Sequence, residues 1–222
     1  MNNSWITTLT NDKQLDLVVA LYFSLEKVKS KFPLNLIVTN NVSKEALSIL
    51  RKLGIHYKIF QYIKPTDGDE ENFLNEFYIY DFKEFDKVCY LKKNFYITQN
   101  IDFIFKSKEF VTCKISDEEY DLSLYLVRPS DCTSAEIFNY FIGENLNSKN
   151  TVFKMLYPEA NYFPKIEIFL YEYDKNIFKE KEVFSVNELK FFIYENSFVL
   201  YDQQLLYSYG REEISNWKNY YE

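Results

Sequence analysis

The apolar positions of the first 64 residues change period repeatedly. Residues 5–9 (WITTL) form a short β-branched run, which predicts a strand. Asp12 is placed to cap a helix. Leu15, Val18, Val19, Tyr22, Leu25 and Val28 then recur at spacings of three and four, which is one helical face. Beyond Pro33, Leu34–Thr39 (LNLIVT) reads as a short, continuous apolar strand. Ser43 can cap a second helix, with Ala46, Leu47, Leu50 and Leu53 on its face. Gly54 is positioned to end that helix in the left-handed conformation. Residues 55–63 predict a third strand.

Strand, helix, strand, helix, strand requires right-handed crossovers and hence a parallel sheet. Ligands of such sheets dock outside the carboxyl ends of the strands. The loop after the first strand (Leu9, Thr10, Asn11, Asp12) is therefore the default place for a ligand.

The acidic, turn-rich stretch 65–71 (PTDGDEE) predicts an exposed loop. Residues 72–85 predict a helix, Lys87–Leu91 (KVCYL) a buried strand, and 100–105 a helical turn. Strands are expected at 110–115 and 122–127, with SDEE between them. Residues 134–146 and 150–157 read as helices. Further on, 166–171 and 191–200 read as strands and 211–221 as a terminal helix. No repeat or low-complexity linker divides the chain, so a single domain over 1–222 is expected.

Composition narrows the chemistry. Lys+Arg 26 against Asp+Glu 33 gives a net charge of −7, which argues against a general nucleic-acid binder. The longest uninterrupted apolar run, 17–23, falls far short of the roughly 20 residues that a membrane helix needs. The first residues show no basic region followed by an apolar stretch, so no signal peptide is expected and the location is read as cytoplasmic. Cys89, Cys113 and Cys132 are too far apart for a disulfide scaffold or a cysteine zinc site. The single histidine, His56, excludes a His-rich metal centre. Gly54, Gly68, Gly143 and Gly210 lie too far apart to build a phosphate-cradling loop. Aromatic residues reach 19%, but they are spread along the chain, as AT-rich codon usage gives, rather than gathered into a stacking surface.

Several stretches resemble glycosyltransferase family 8, the glycogenin and galactinol-synthase group. They are W-I-T-T-L-T-N-D and the helix ending S-L-E-K-V, then L-N-L-I-V-T-N-N-V-S-K-E-A-L-S-I-L-R-K-L-G-I. The strongest is D-F-K-E-F-D-K-V-C-Y-L-K-K-N-F-Y-I-T-Q-N-I-D-F-I-F, and Y-D-L-S-L-Y-L-V-R-P-S is similar to a family strand that ends in P-S. The resemblance covers about residues 4–130. It implies an α/β, GT-A-like fold, a Rossmann-like mixed sheet flanked by helices. Residues 1–130 would be the nucleotide-sugar half and 131–222 a divergent acceptor-side half. It further implies a retaining transferase that uses a UDP-sugar and manganese.

The family's D-x-D falls at residues 92–94. Its carboxylates hold Mn²⁺, a hard cation that takes oxygen ligands, against the diphosphate. Here the residues are Lys92, Lys93 and Asn94. A lysine ammonium about 4 Å from Mn²⁺ is repelled by about 8 kcal/mol at an effective dielectric of about 20. By the same resemblance, Glu76 stands for a family Lys and Gln14 for the aromatic that packs on uracil. Tyr120, Asp121, Leu122, Ser123 and Leu124 replace F-N-x-G-V, and Lys149, Asn150 and Thr151 occupy the D-Q region. The family's C-terminal histidine ligand has no counterpart, and Trp217 alone echoes that motif. Thr8, Leu9, Thr10, Asn11, Asn100 and Asp102 remain family-like.

Glu76, Lys149 and Asn150 are thus vestigial catalytic positions, and Lys92 and Asn94 a degenerate metal site. No cofactor is expected, and manganese only if the metal site lies elsewhere. The nucleotide-binding candidates are Thr8, Leu9, Thr10, Asn11, Lys92 and Lys93. Thr10 and Asn11 can hydrogen-bond a nucleobase or ribose; Asn11 and Asp12 can equally be turn and cap residues. Lys92 and Lys93 can neutralise a diphosphate in place of a metal, or stand solvated at the mouth of a dead site. Asp117, Glu118, Glu119 and Asp121 read as an acidic turn, His56 as structural or surface, and Cys89 as core. Cys132 has no nucleophile's partners near it in sequence. The expected function is a family-8-like domain without catalysis, a binding or structural module for a protein partner or a second copy of itself. A metal-independent transferase using a UDP-sugar, and a sensor that binds UDP or UDP-sugar without turnover, are the alternatives.

Overall fold

The computed structural model describes residues 2–64, 73–93, 95, 97, 100–107, 110–116, 119–130, 133–143, 149–158 and 161–162. The expected elements at 166–171, 191–200 and 211–221, the loop 65–71, and Asn94, Asp117, Glu118, Cys132 and Trp217 lie outside the described residues. Seven strands form one sheet: β1 (Asn3–Leu9), β2 (Leu34–Thr39), β3 (His56–Phe60), β4 (Lys87–Leu91), β5 (Val111–Ser116), β6 (Glu119–Val127) and β7 (Asn161–Tyr162). Their order is β3-β2-β1-β4-β6-β5-β7. The first four are parallel, β6 runs antiparallel to β4 and β5, and β7 adds parallel to β5. This is the expected mixed α/β sheet with helices on both faces.

Alternation along the strands sorts the two faces, because successive side chains point to opposite sides. Trp5, Leu9, Cys89 and Leu91 face a core closed by α1 (Leu15–Lys27), α2 (Lys44–Lys52) and the 3₁₀ turn Asp102–Lys106. Ile6, Ile37, Tyr90 and Tyr125 face a second core closed by the 3₁₀ segment Phe73–Asp81, α3 (Ser134–Gly143) and α4 (Lys149–Leu156). Cys89 is buried, as its apolar strand implies, and His56 is exposed at the start of β3.

Several boundaries shift by a few residues; β6 begins at Glu119, so Glu119 and Asp121 lie in a strand and not in an acidic turn. Three departures have plain physical reasons. Asp12 does not cap α1: a 3₁₀ turn, Asp12–Gln14, leads into the helix, and it is capped by Asn11, whose side chain accepts the Lys13 amide at 3.1 Å. Asp12 instead accepts the Ser43 amide across the loop at 2.9 Å, joining the two helix starts. The segment expected as a helix over 72–85 is a 3₁₀ run that ends at Asp81. It buries Phe73, Leu74, Asn75, Phe77, Ile79 and Tyr80, which is apolar nearly all round and not one 3.6-residue stripe. The third strand is shorter than 55–63, ending at Phe60. Beyond it, the Asn75 amide takes over the backbone pairing, accepting from the Ile63 N–H and donating to the Ile63 carbonyl, both at 2.9 Å. Ser43 and Gly54 behave as expected: the Ser43 hydroxyl accepts the Ala46 amide, and Gly54 has φ +72.

Candidate functional site

The carboxyl ends of β1, β2 and β4 lie together, and the candidate residues divide between this edge and the opposite one. The β1 loop is closed on itself. The Gln14 side-chain oxygen accepts from both the amide and the hydroxyl of Thr10, each at 3.0 Å. The Thr39 hydroxyl donates to the Thr10 carbonyl at 3.0 Å, and Asn11 is spent on its cap. Gln14 therefore serves as the loop's internal acceptor. The turn-and-cap reading of Asn11 accounts for its contacts. Leu9 points into the core below α1.

Thr8 faces the other side, where its hydroxyl lies 3.3 Å from that of Tyr90. Tyr90 is cross-strand partner to Tyr125, and the two rings stack with centroids 5.0 Å apart. Against this plate stands Lys149, the first residue of α4. Its ammonium is 5.0 Å from the Tyr90 centroid and 4.9 Å from the Tyr125 centroid, within range for cation–π attraction. It donates to the Leu122 carbonyl at 2.9 Å and forms an ion pair with Glu76 of the 3₁₀ segment. The two charged side chains are only 15% and 13% exposed. Glu76 and Lys149, two positions expected from the resemblance to be vestigial, thus meet and neutralise each other.

Tyr90 and Tyr125 are the residues that sequence reasoning missed. The signal was present in KVCYL and LSLYLV, each of which alternates its tyrosine onto one face; only the antiparallel register puts the two side by side. The Tyr125 hydroxyl is held well above the usual tyrosine range, first by complete burial and then by the negative charge of Glu76. Asp16, in the first turn of α1, is likewise pulled up by burial.

Lys92 and Lys93 follow β4 directly and are half-buried. The Lys92 amide donates to the Ser123 carbonyl at 2.8 Å, which fixes the backbone where a D-x-D would begin. The two residues are cations, and manganese does not fit them. Among the described residues, no three His, Cys, Asp or Glu side chains gather to hold a metal ion.

Asn100 and Asp102 sit at the opposite end of the sheet, away from any strand-end ligand. Asn100 donates its side-chain amide to the carbonyls of Val28 and Lys29 at 3.2 and 3.1 Å, where α1 stops and Lys29 turns to φ 56. Asp102 accepts the Ser30 hydroxyl at 2.6 Å and the Lys31 amide at 2.9 Å. Ser30 in turn accepts the indole N–H of the wholly buried Trp5 at 2.8 Å. The N-I-D motif is a brace that ends α1 and ties it to β1, which is work for the fold and not for a ligand.

This sheet order, with a parallel half continued by antiparallel strands, is the GT-A fold of glycosyltransferases. The glycosyltransferase GlyE of Streptococcus pneumoniae TIGR4 superposes with a TM-score of 0.60 at 14% identity, over 98% of this chain and 60% of that one. The galactosyltransferase LgtC, solved with donor and acceptor sugar analogs, gives 0.58 at 9% identity, over 87% and 85%. In sequence, galactinol synthase 4 of Arabidopsis thaliana is 32% identical over 96 residues, which is 40% of this chain and 28% of that protein. The chain thus matches less than a third of that relative's length. No protein-family model matches the chain. Sequence and fold together support a glycosyltransferase relationship. No helix among the described residues is long and apolar enough to cross a membrane.

Proposed function

We propose that this chain is a divergent family-8-like glycosyltransferase domain that has lost metal-dependent sugar transfer and serves as a binding module. The observation that carries the reading is the Glu76–Lys149 pair, which locks together two positions that the resemblance assigns to catalysis. A carboxylate and an ammonium that neutralise each other in a largely buried place are poorly available to position a sugar or to move a proton. The cations at Lys92 and Lys93 agree, since they repel the manganese that the D-x-D would hold. The closed Thr10–Gln14 loop offers fewer donors to a nucleobase than an open one. The module's partner is a second protein or a second copy of this chain.

One observation favours an alternative, a metal-independent transferase or a UDP-sugar sensor. Lys92 and Lys93 stand half-buried at the carboxyl end of β4, where two ammonium groups can neutralise a diphosphate. A UDP-release assay with UDP-glucose and UDP-galactose separates the proposed function from a transferase. The proposed function expects no release above the protein-free rate, with Mn²⁺ or with EDTA. Release that requires Mn²⁺ would overturn it; release that persists in EDTA would establish the metal-free transferase.

A further inference from the structure

One edge of the sheet is β3, which pairs with β2 on one side and with no strand among the described residues on the other. Backbone polar groups alternate from side to side along a strand. The Phe60 carbonyl accepts the Asn40 amide at 3.0 Å, on the β2 side. The N–H and C=O groups of His56, Lys58 and Phe60 therefore turn to β2, and those of Tyr57 and Ile59 turn outward, where no described residue meets them. Side chains alternate too. Tyr57 packs toward the core under α1 and α2, its hydroxyl accepting the Arg51 Nε–H at 2.8 Å. Ile59 shares that face and is 54% exposed, the most of any large apolar side chain among the described residues. Lys58 lies on the opposite face. A lysine on an edge strand ordinarily keeps other strands away. Here its ammonium is met within its own chain, by the Asp81 carbonyl at 2.9 Å and the Glu84 carboxylate at 2.7 Å.

We infer that β3 is the interface of a two-fold dimer, pairing antiparallel with β3 of a second copy about an axis at Lys58. Tyr57 then stands opposite Ile59 of the second copy, and each such pair exchanges both N–H···O bonds, which satisfies every outward group of the strand. The same register is self-complementary in side chains: it covers the exposed Ile59 with a tyrosine, an aromatic and β-branched cross-strand pair, once on each side of the axis. Neighbouring registers are poorer. Centring on Tyr57 sets Ile59 against Ile55, whose amide already donates to the Leu50 carbonyl. Centring on Ile59 sets Tyr57 against Gln61, whose carbonyl already accepts from the Tyr78 hydroxyl. At the axis the two Lys58 side chains come opposite each other, and Glu84 is what makes that meeting tolerable. This inference deepens the proposed function, whose partner it names as a second copy of this chain.

The test is sedimentation equilibrium of the full chain across the micromolar range. Wild type should rise from 26.8 kDa toward twice that mass as concentration increases. Ile59→Pro removes an outward donor and leaves the β2 pairing alone, since proline is tolerated on an edge strand where its nitrogen faces solvent. It should weaken the dimer about tenfold or more. If circular dichroism shows that variant unfolded, Ile59→Lys replaces it; the new cation faces the Arg51–Tyr57 pair of the second copy and should cost several-fold in affinity. Glu84→Gln leaves the two lysines opposed and should also weaken the dimer several-fold, and adding Lys58→Gln should restore it. A monomer at every concentration would overturn the inference. So would a dimer that the folded Ile59 variant leaves unchanged, since another surface would then hold it. Failure of Lys58→Gln to restore the dimer would overturn it too, because the lysines would then not meet. A monomer that releases no UDP would leave the proposed function in place with a different protein as partner, and UDP release by a dimer would sink that function alone.

Discussion

Replacing Lys149 by Asp, the charge that the family resemblance implies at this position, should cost this protein about 3–5 kcal/mol of stability, the range for breaking a buried ion pair from one side. The new carboxylate would oppose Glu76, face the Leu122 carbonyl and meet the electron-rich faces of Tyr90 and Tyr125. For a chain of this size the thermal midpoint should fall by roughly 10 °C or more. The informative partner is the full exchange, Glu76→Lys with Lys149→Asp. An ion pair in a neutral setting would be restored by exchanging its ends. Here the carbonyl and the two rings specify a cation at 149, so the exchange should recover only part of the loss. Thermal denaturation of the two variants beside wild type measures this directly; full recovery would show that the tyrosine box has no preference of sign.

Asp102→Ala should be nearly as damaging although it lies far from the strand ends. The carboxylate accepts from Ser30, from the Lys31 amide and from the Asn100 side chain, the last at 3.2 Å. Hydrogen bonds to a charged acceptor are worth about 1.5–3 kcal/mol each when buried, and this one is part-exposed, so a total near 2–3 kcal/mol is expected. The loss also frees Ser30, which positions Trp5. Denaturant unfolding should register the drop, while any binding of UDP-sugar per folded molecule should be unchanged. A large loss of ligand affinity with stability intact would return the N-I-D motif to the binding site.

Most of the sheet was legible in the sequence because its strands are short apolar runs punctuated by strong signals. LNLIVT and KVCYL were bounded correctly, and Ser43 and Gly54 marked α2 at both ends. The 3₁₀ segment Phe73–Asp81 was less legible, because its buried residues surround it and the helical period is lost. The two-residue strand β7 carries too little pattern to be read at all. In the site, the charged residues stood out singly, but their pairing did not: Glu76 and Lys149 are 73 residues apart, and only the packing of the 3₁₀ segment and α4 on one face brings them together. The same is true of Tyr90 and Tyr125, whose neighbourhood depends on antiparallel register. Asn100 and Asp102 show the converse. A motif shared with a family need not mark its chemistry, since here the hydrogen bonds of the N-I-D stretch end a helix.

The central claim is that the metal-dependent handling of a sugar nucleotide has been lost. The most direct measurement is a calorimetric titration of wild-type protein with UDP-glucose and UDP-galactose, once in Mn²⁺ and once in EDTA. The account predicts that Mn²⁺ adds nothing: the two buffers give the same isotherm for each sugar nucleotide. Saturable binding that appears with Mn²⁺ and vanishes in EDTA would contradict it, because a working metal site would then exist that Lys92 and Lys93 do not form.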